Sequence, residues 1–379
     1  MSEPAPIPYG RQSISDDDIE AVAAVLRGDW LTTGPTVDAF EAALAEMAGV
    51  PRAVSCTSGT AALHIAYAAA GIGPGDEVIT TPMTFVATAS CAVALGAKIT
   101  FVDVETDTAN IDPILVAEAA TDQTKVIAGV DYAGHPIDAD SLMAIGARHG
   151  ALVLEDAAHS IGSLYKGRPV GSLVDLTTLS FFPTKNMTTA EGGAVLALDP
   201  ELAARAHRFH FIGLERDRER MRYPDEGPWH QEVHEYGLNY RLPDVLCALG
   251  LSQLSRLQAF KERRAQVWAR YAEGLADMVG LQLPVQRPDV DPMWHLYPVR
   301  VKDGRRREVF DALRAQGILV QVNYIPVYWH PVFEDLGYRR GMCPNAEAFY
   351  AEEISLPMHA ELTDDDVDRV IEALRSLLV

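Results

Sequence analysis

The chain has 379 residues, of which 48% are hydrophobic and 22% are charged, enough for a full core and two domains. Its formal net charge of −21 disfavours a nucleic acid as partner, because the phosphate backbone would be repelled. No apolar run approaches the roughly 18–20 residues that span a bilayer, and the first ten residues lack the features of a secretory signal. We therefore expect a cytoplasmic protein without a membrane partner.

The four cysteines are scattered along the chain and form no C-x-x-C pair; they are Cys56, Cys91, Cys247 and Cys343. This spacing favours neither a zinc site nor a disulfide framework. We expect buried thiols and no bound metal.

The first half of the chain alternates between short apolar runs and helical patterns. Ser13 or Ser15, followed by three aspartates, predicts a capped helix start. This first helix is predicted to end at about residue 27. Further helices are predicted over residues 37–47, 61–70, 86–95 and 142–149, and strands over residues 53–56, 77–80, 98–102, 126–131 and 151–154. This alternation predicts a mostly parallel sheet with helices on both faces.

Two polar or aromatic stretches follow strands in this half. Thr57-Ser58-Gly59-Thr60 joins a strand to a helix, which suits a phosphate site at a helix N-terminus or, equally, an ordinary capped turn. Phe85 follows the strand at 77–80. Its ring could stack on a planar cofactor or pack in the core.

The strand at 151–154 ends in Glu155 and Asp156. In open α/β sheets, ligands bind at the carboxyl ends of the strands. Pyridoxal phosphate (PLP) needs a carboxylate at its ring nitrogen, which makes Asp156 the candidate, with His159 in reach of the phenolic oxygen. Taken alone, the acidic pair could also bind a metal or cap a helix.

A lysine follows the next β-prone run. Residues 179–182 are predicted to form a strand that ends at Pro183, because proline cannot extend a central strand. Lys185 then lies at the mouth of a buried strand, where lost hydration lowers its pKa and favours the nucleophilic amine. A surface lysine in a loop is the alternative. Paired with Asp156 one strand away, Lys185 indicates a PLP site, since such lysines form Schiff bases with aldehydes.

The second half predicts a helix over residues 201–211 and a long, functional loop over residues 213–236. A helix is predicted from after Pro243 to about residue 278, then strands over residues 296–301 and 318–322 and helices over residues 306–315, 346–352 and 364–378. The predicted domains are a large α/β domain (1–245), a linking helix (246–279) and a small C-terminal α+β domain (280–379).

These motifs resemble those of the DegT/DnrJ nucleotide-sugar aminotransferases, which are fold-type I PLP enzymes. The matching stretches are L-T-T-G-P at Leu31, T-S-G-T-A-A-L at Thr57, D-E-V-I-T-T-P at Asp76, E-D-A-A-H at Glu155, S-F-F-P-T-K at Ser180, G-x-N-x-R at Gly237, H-L-Y-P at His295 and S-L-P-M-H at Ser355. The resemblance covers nearly the whole chain. It implies a large domain with a mostly parallel seven-stranded sheet flanked by helices, and a smaller C-terminal α+β domain.

Within that family the chain most resembles the UDP-4-amino-4,6-dideoxy-N-acetyl-β-L-altrosamine transaminases of the pseudaminic-acid pathway. The shared stretches are V-D-Y-A-G at Val130, T-T-A-E-G-G-A-V at Thr188, A-L-G-L-S-Q-L at Ala248 and E-I-S-L-P at Glu353. Two stretches differ: S-F-F-P, and Asn323, where the subgroup is expected to have a histidine.

The resemblance also implies residue roles. Lys185 would be the Schiff-base lysine, and Asp156 the partner of the ring nitrogen. The other implied cofactor contacts are His159 at the phenolic oxygen, Phe85 on the ring, Gly59, Thr60 and Ser180 at the phosphate, and Asn239 at the phosphate of a neighbouring subunit. Arg241 and Tyr324 would lie near the nucleotide-sugar. Family members are homodimers with shared active sites.

The predicted reaction is transamination of a UDP-4-keto-6-deoxy-N-acetylhexosamine to the 4-amino sugar, with L-glutamate as donor. Another 4-keto sugar, such as a dTDP-4-keto-6-deoxyhexose or a UDP-4-keto-pentose, is the main alternative. Lys185 disfavours a sugar dehydratase, which by family analogy has histidine there. Intact cofactor motifs disfavour a non-catalytic regulatory protein. A nicotinamide dehydrogenase is disfavoured because no G-x-G-x-x-G follows a strand.

Overall fold

The computed structural model describes residues 5–378. Up to residue 245 the strands are β1 (Arg52–Cys56), β2 (Glu77–Thr80), β3 (Lys98–Phe101), β4 (Thr124–Val130), β5 (Leu152–Asp156), β6 (Leu164–Tyr165), β7 (Arg168–Pro169), β8 (Leu176–Ser180), β9 (Gly193–Ala197), β10 (Leu214–Glu215) and β11 (Glu232–Val233). The helices that begin in this part are α1 (Asp16–Arg27), α2 (Pro35–Ala48), α3 (Gly59–Ala69), α4 (Ala87–Ala94), α5 (Pro113–Ala119), α6 (Ala139–His149), α7 (Pro200–His210) and α8 (Asp244–Ser255). None of the helices within residues 5–378 has both the length and the hydropathy to cross a membrane.

A seven-stranded sheet forms the centre of this part, in the order β1-β9-β8-β5-β4-β2-β3. The neighbours from β8 to β3 are parallel, and β9 is antiparallel to both β8 and β1. Side chains of a strand alternate between the two faces: Val126 and Ala128 pack into one hydrophobic core, and Ile127 packs into the other. The sequence prediction of a mostly parallel sheet flanked by helices is confirmed.

The sheet brings several strand ends to one edge. Asp156, the last residue of β5, pairs with Thr178 of β8. Ser180, the last residue of β8, pairs with Gly193, which also pairs with Cys56 at the end of β1. The loops after β1, β5 and β8 therefore leave the sheet side by side.

The C-terminal part contains α9 (Leu257–Leu275), β12 (Leu281–Gln282), β13 (Val290–Asp291), β14 (Tyr297–Val301), α10 (Arg306–Ala315), α11 (Pro331–Glu334), α12 (Pro344–Glu352), β15 (Glu353–Leu356) and α13 (Asp364–Leu378). An antiparallel sheet, β12-β14-β15, packs with α9, α10 and α13 around a third core, which also includes Ile7. The domain boundaries at residues 245 and 279 stay predictions.

Two predicted strands are placed wrongly. The strand predicted at 179–182 is β8, which ends at Ser180, because Phe181 already bonds across to Gly192 and Thr189 in the following loop. Residues 318–322 form no strand: Ile318 has a single bridge to Ile7, and Gln321 a single bridge to Ser355. The apolar pattern there reflects burial in the third core, while the backbone bonds go to two different partners.

Two further predictions are corrected in the connecting segments. The helix predicted to run on to residue 278 is broken at Arg256, whose side chain bonds to Asp18 and to the Ser13 carbonyl, into α8 and α9. The long loop at 213–236 contains the two-stranded β10–β11 pair and is held by Glu232, which accepts bonds from two backbone amides of the same loop. The four cysteines are buried, as expected.

Candidate active site

A cavity of about 400 Å³ lies at the strand ends where β1, β5 and β8 meet. Eight of the ten predicted site residues line this cavity. The eight are Gly59, Thr60, Phe85, Asp156, His159, Ser180, Lys185 and Tyr324. Residues from five separated parts of the chain thus converge on one space.

Lys185 lies in the loop between β8 and β9. Its backbone amide donates to the Phe182 carbonyl at 2.8 Å, which forms a turn directly after the strand. Burial lowers the pKa of the Lys185 amine from 10.5 to about 8, although the negative charge of Asp156 raises it. A sizeable fraction of this amine is therefore neutral and nucleophilic near pH 8.

Asp156 is 5% exposed at the end of β5. Its Oδ2 accepts a hydrogen bond from the Thr88 hydroxyl at 2.7 Å, and its Oδ1 accepts one from the Ala158 amide at 3.2 Å. Burial raises the pKa of this carboxyl, while the two hydrogen bonds and the charge of Lys185 lower it. Both oxygens are fixed in position, so the carboxylate is held in place for a cationic partner.

His159 is buried beside these two residues. Its Nε2 lies 3.0 Å from the Tyr324 hydroxyl, and its Nδ1 has no hydrogen-bond partner within residues 5–378. Burial, together with the charge of Lys185, lowers the pKa of His159 well below its usual value. The imidazole is therefore neutral, with one nitrogen left for a bound molecule.

Another part of the cavity wall carries donors for an anion. Helix α3 begins at Gly59, and its first amides have no acceptor inside the helix. Ser58 caps the helix by accepting a bond from the Ala61 amide at 3.0 Å. A Cβ atom at Gly59 would lie 2.8 Å from the Cβ of Ser180, so only glycine allows this serine to approach the helix start. Backbone amides and hydroxyls are the donors that bind phosphate.

Phe85 supplies an aromatic wall. Its side chain is 56% exposed, and its ring lies 6.3 Å from that of Tyr324 in an edge-on arrangement. The sequence left core packing open for Phe85, but the ring lines the cavity.

Sequence reasoning missed several residues here. Thr88, which fixes Asp156, lies three residues after Phe85 in the first turn of α4, and no local signal marks it, because Asp156 is 68 residues away in the chain. Glu191 and Phe182 line the cavity from the loop that carries Lys185, within the motif already noted. No periodicity marks them, because they belong to irregular segments.

Asn239 and Arg241 lie outside this cavity. Asn239 is exposed and forms a bridge with Phe211. Arg241 lines a second cavity of about 400 Å³, and its guanidinium stacks on the Phe211 ring at 4.5 Å. A single chain does not bring these residues to Lys185, so their predicted contacts stay predictions.

Comparison with known proteins identifies the class. Residues 12–375 match the DegT/DnrJ/EryC1/StrS aminotransferase family. Spore coat polysaccharide biosynthesis protein SpsC of Bacillus subtilis is 39% identical over 378 residues, 98% of this chain and 97% of the relative. The PLP form of Spr1654 from Streptococcus pneumoniae has a TM-score of 0.91 and 31% identity, over 98% of both chains. Helicobacter pylori PseC, an aminotransferase involved in the biosynthesis of pseudoaminic acid, has a TM-score of 0.91 and 30% identity, over 98% of this chain and 99% of PseC.

The fold is that of a fold-type I aminotransferase. The chain belongs to the DegT/DnrJ/EryC1/StrS aminotransferase family. It is a sugar aminotransferase that depends on PLP.

The residues of the cavity fit that cofactor. A buried amine with a lowered pKa suits the aldehyde, and a buried, anchored carboxylate suits the ring nitrogen. The close approach of Ser180 to Gly59 suits a phosphate, and the unpartnered Nδ1 of His159 leaves one ring nitrogen for a polar group.

Proposed function

We propose that the protein transfers the amino group of L-glutamate to the C4 keto group of a UDP-4-keto-6-deoxy-N-acetylhexosamine. The placement of Lys185 and Asp156 in one cavity supports the transamination chemistry. The four stretches shared with the pseudaminic-acid subgroup, and the structural similarity to PseC, support this sugar. The free, buried cysteines are compatible with a cytoplasmic location, which is part of the proposal.

PLP, when bound, supplies a ring that accepts electrons from the carbon that carries the amino group. Lys185 would hold the aldehyde end of the cofactor. Once the amino donor had displaced it, its amine would take a proton from the donor α-carbon and give it to the former aldehyde carbon of the cofactor. Asp156 would keep the ring nitrogen protonated, because its carboxylate favours a positive charge beside it. His159, which is neutral, would hold the phenolic oxygen by a hydrogen bond.

The substrates carry more negative charge than one chain can balance in this cavity. L-Glutamate and a nucleoside diphosphate are both anions, and Lys185 is the only lysine or arginine among the described residues that line the space. We therefore propose a homodimer in which Asn239 and Arg241 of one protomer complete the site of the other. Their position outside their own cavity supports this arrangement.

A second acceptor has a specific observation in its favour. Asn323, which lies next to Tyr324 of the cavity, departs from the subgroup that suggests the N-acetylhexosamine, as does S-F-F-P. A dTDP-4-keto-6-deoxyhexose or a UDP-4-keto-pentose is therefore the alternative substrate.

An assay of the purified holoenzyme with L-glutamate and these three sugars tests the proposal. The UDP-4-keto-6-deoxy-N-acetylhexosamine should have the highest kcat/KM, by at least about tenfold. The Lys185→Ala protein should lose at least about 1,000-fold in rate with every sugar. A preference for another sugar would support the alternative. Transamination by Lys185→Ala at the wild-type rate would contradict the mechanism.

A further inference from the structure

The segment that carries Tyr324 into the cavity is fixed by its neighbour, Asn323. Asn323 itself is 7% exposed and lies behind the cavity wall. We propose that Asn323 is a positioning residue, which holds the Tyr324 hydroxyl against His159. The inference rests on the PLP cofactor in this cavity and applies whichever sugar accepts the amino group.

Hydrogen bonds occupy the backbone amide, the backbone carbonyl and the side-chain NH2 group of Asn323. Its backbone amide donates to Glu353 Oε2 at 2.8 Å, and its carbonyl accepts from the Tyr132 hydroxyl at 2.5 Å. Its side-chain amide donates to the Tyr9 hydroxyl at 2.8 Å and to the Ser355 hydroxyl at 3.0 Å. These partners lie before α1, directly after β4 and on β15, so three separate parts of the chain fix one residue.

The side-chain contacts of Tyr324 are fewer and lie towards the cavity. Its hydroxyl lies 3.0 Å from His159 Nε2, and the two rings are nearly parallel, with centroids 6.0 Å apart. Its ring also meets the edge of Phe85. The hydroxyl reaches His159 only while the backbone at 323–324 stays in place, and the bonds of Asn323 determine that position.

The position of the hydroxyl matters because a neutral imidazole has one donor and one acceptor nitrogen. A hydroxyl can donate or accept, so the bond between Tyr324 and Nε2 couples the direction of that hydroxyl to the tautomer of His159, and so to whether the unpartnered Nδ1 donates or accepts. The other titratable groups around the pair are Lys185, His295, Asp156, Glu353, Tyr9 and Tyr132. A displaced hydroxyl would change the electrostatic environment of the bound cofactor without removing any group that touches it.

The side chain of Asn323 suits this role for a simple reason. A primary amide has two N–H donors, and here one goes to Tyr9 and the other to Ser355. A neutral histidine has one N–H donor, so it could keep only one of these bonds. Asn323→His should therefore have an effect between those of the wild type and Asn323→Ala.

A double-mutant cycle tests the inference. Asn323→Ala, Tyr324→Phe and the double variant are loaded with PLP, and the visible absorption spectrum is titrated from pH 6 to pH 10 without substrate. Both single variants should move the spectral midpoint in the same direction, by about 0.5 pH unit or more. If Asn323 acts through the Tyr324 hydroxyl, the double variant should move no further than Tyr324→Phe alone.

An unchanged midpoint in Asn323→Ala, or fully additive shifts in the double variant, would overturn the inference. Thermal unfolding of the apo proteins shows whether each variant is folded. If Asn323→Ala does not fold, Tyr9→Phe takes its place in the cycle, because it removes only one of the acceptors. The titration uses no sugar, so a failed sugar assay and a failed cycle give separate answers.

Discussion

Among single residues, Lys185 has the property that the chemistry most needs. Its pKa is lowered to about 8 by burial, so the fraction of neutral amine rises through that pH. Because the neutral amine attacks the aldehyde, we expect the rate of PLP uptake by the apoprotein to rise with pH to a plateau, with a midpoint near pH 8. Stopped-flow absorbance between pH 6.5 and pH 10.5 measures this rate.

The control for that measurement is Lys185→Arg, which keeps the positive charge but cannot form the covalent bond, and should show no such absorbance change. A midpoint near 10.5, the ordinary value for lysine, would contradict the prediction.

Glu155, which precedes Asp156, should reduce stability at neutral pH. It is fully buried, and burial raises its pKa to about 7, above the ordinary value of 4.5. The folded state therefore holds this proton more tightly, and stability should fall as the pH rises from about 4.5 to about 7. We expect Glu155→Gln to be close to the wild type at pH 5 and more stable at pH 8, by at least about 1 kcal/mol, because the glutamine side chain stays neutral at both.

Urea unfolding of the apoprotein at both pH values measures the difference. Glu118→Gln, on the exposed surface of α5, is the matched control and should behave as the wild type at both. A Glu155→Gln protein that is less stable than the wild type at pH 8 would refute the argument.

At the scale of elements, one helix provides the cap of another. Asp244, the first residue of α8, is fully buried and accepts bonds from the amides of Gly34 and Thr36 at the start of α2. Asp244→Ala leaves both amides without an acceptor and should lower the free energy of unfolding by about 2–4 kcal/mol. Asp244→Asn keeps one acceptor oxygen and should lower the free energy of unfolding by less.

Urea unfolding at pH 7 compares these variants with Asp112→Ala, which removes an exposed cap from α5 and should cost only about 1 kcal/mol. Equal losses from Asp244→Ala and Asp112→Ala would show that the link between the two helices adds nothing.

The same scale shows how far local pattern could predict the fold. The bounds of β2, α10 and α13 agree with the prediction, because the pattern of apolar residues marks these elements locally. Helix α5 was not predicted, since its seven residues are too few to show a clear period. The break at Arg256 has no proline or glycine to mark it, and it coincides with a bond to Asp18, which lies more than two hundred residues earlier.

The candidate site shows the same difference between local motifs, which could be predicted, and contacts between distant parts of the chain, which could not. Residues in short motifs after strands, such as Gly59 and Lys185, could be named from the sequence, and they line the cavity. Thr88 and the hydrogen bonds that hold Asn323 could not be predicted, because their partners are distant in the chain.

For the whole molecule, the proposed shared site predicts that two inactive variants can restore activity to each other in a hybrid dimer. Lys185→Ala and Arg241→Ala subunits should each be inactive alone, but a hybrid dimer would have one complete site. Random exchange of subunits should therefore restore up to about a quarter of the wild-type activity. The assay is run after the two proteins are mixed, partly unfolded and refolded together.

Lys185→Ala mixed with Asp156→Ala is the matched control. Both residues lie in one cavity of the same chain, so a hybrid dimer has no complete site and should regain nothing. Absence of recovery with Arg241→Ala, in hybrids shown to form, would contradict the shared site.

The segment around Ile7 has its backbone partners very late in the chain. Ile7 exchanges hydrogen bonds with Gly317 and Leu319, and the Tyr9 carbonyl accepts from the Met358 amide. A ribosome must therefore release more than three hundred residues before this early stretch can settle. Until then residues 7–9 stay accessible to proteases and chaperones. Their docking therefore requires that the C-terminal third of the chain has been synthesised.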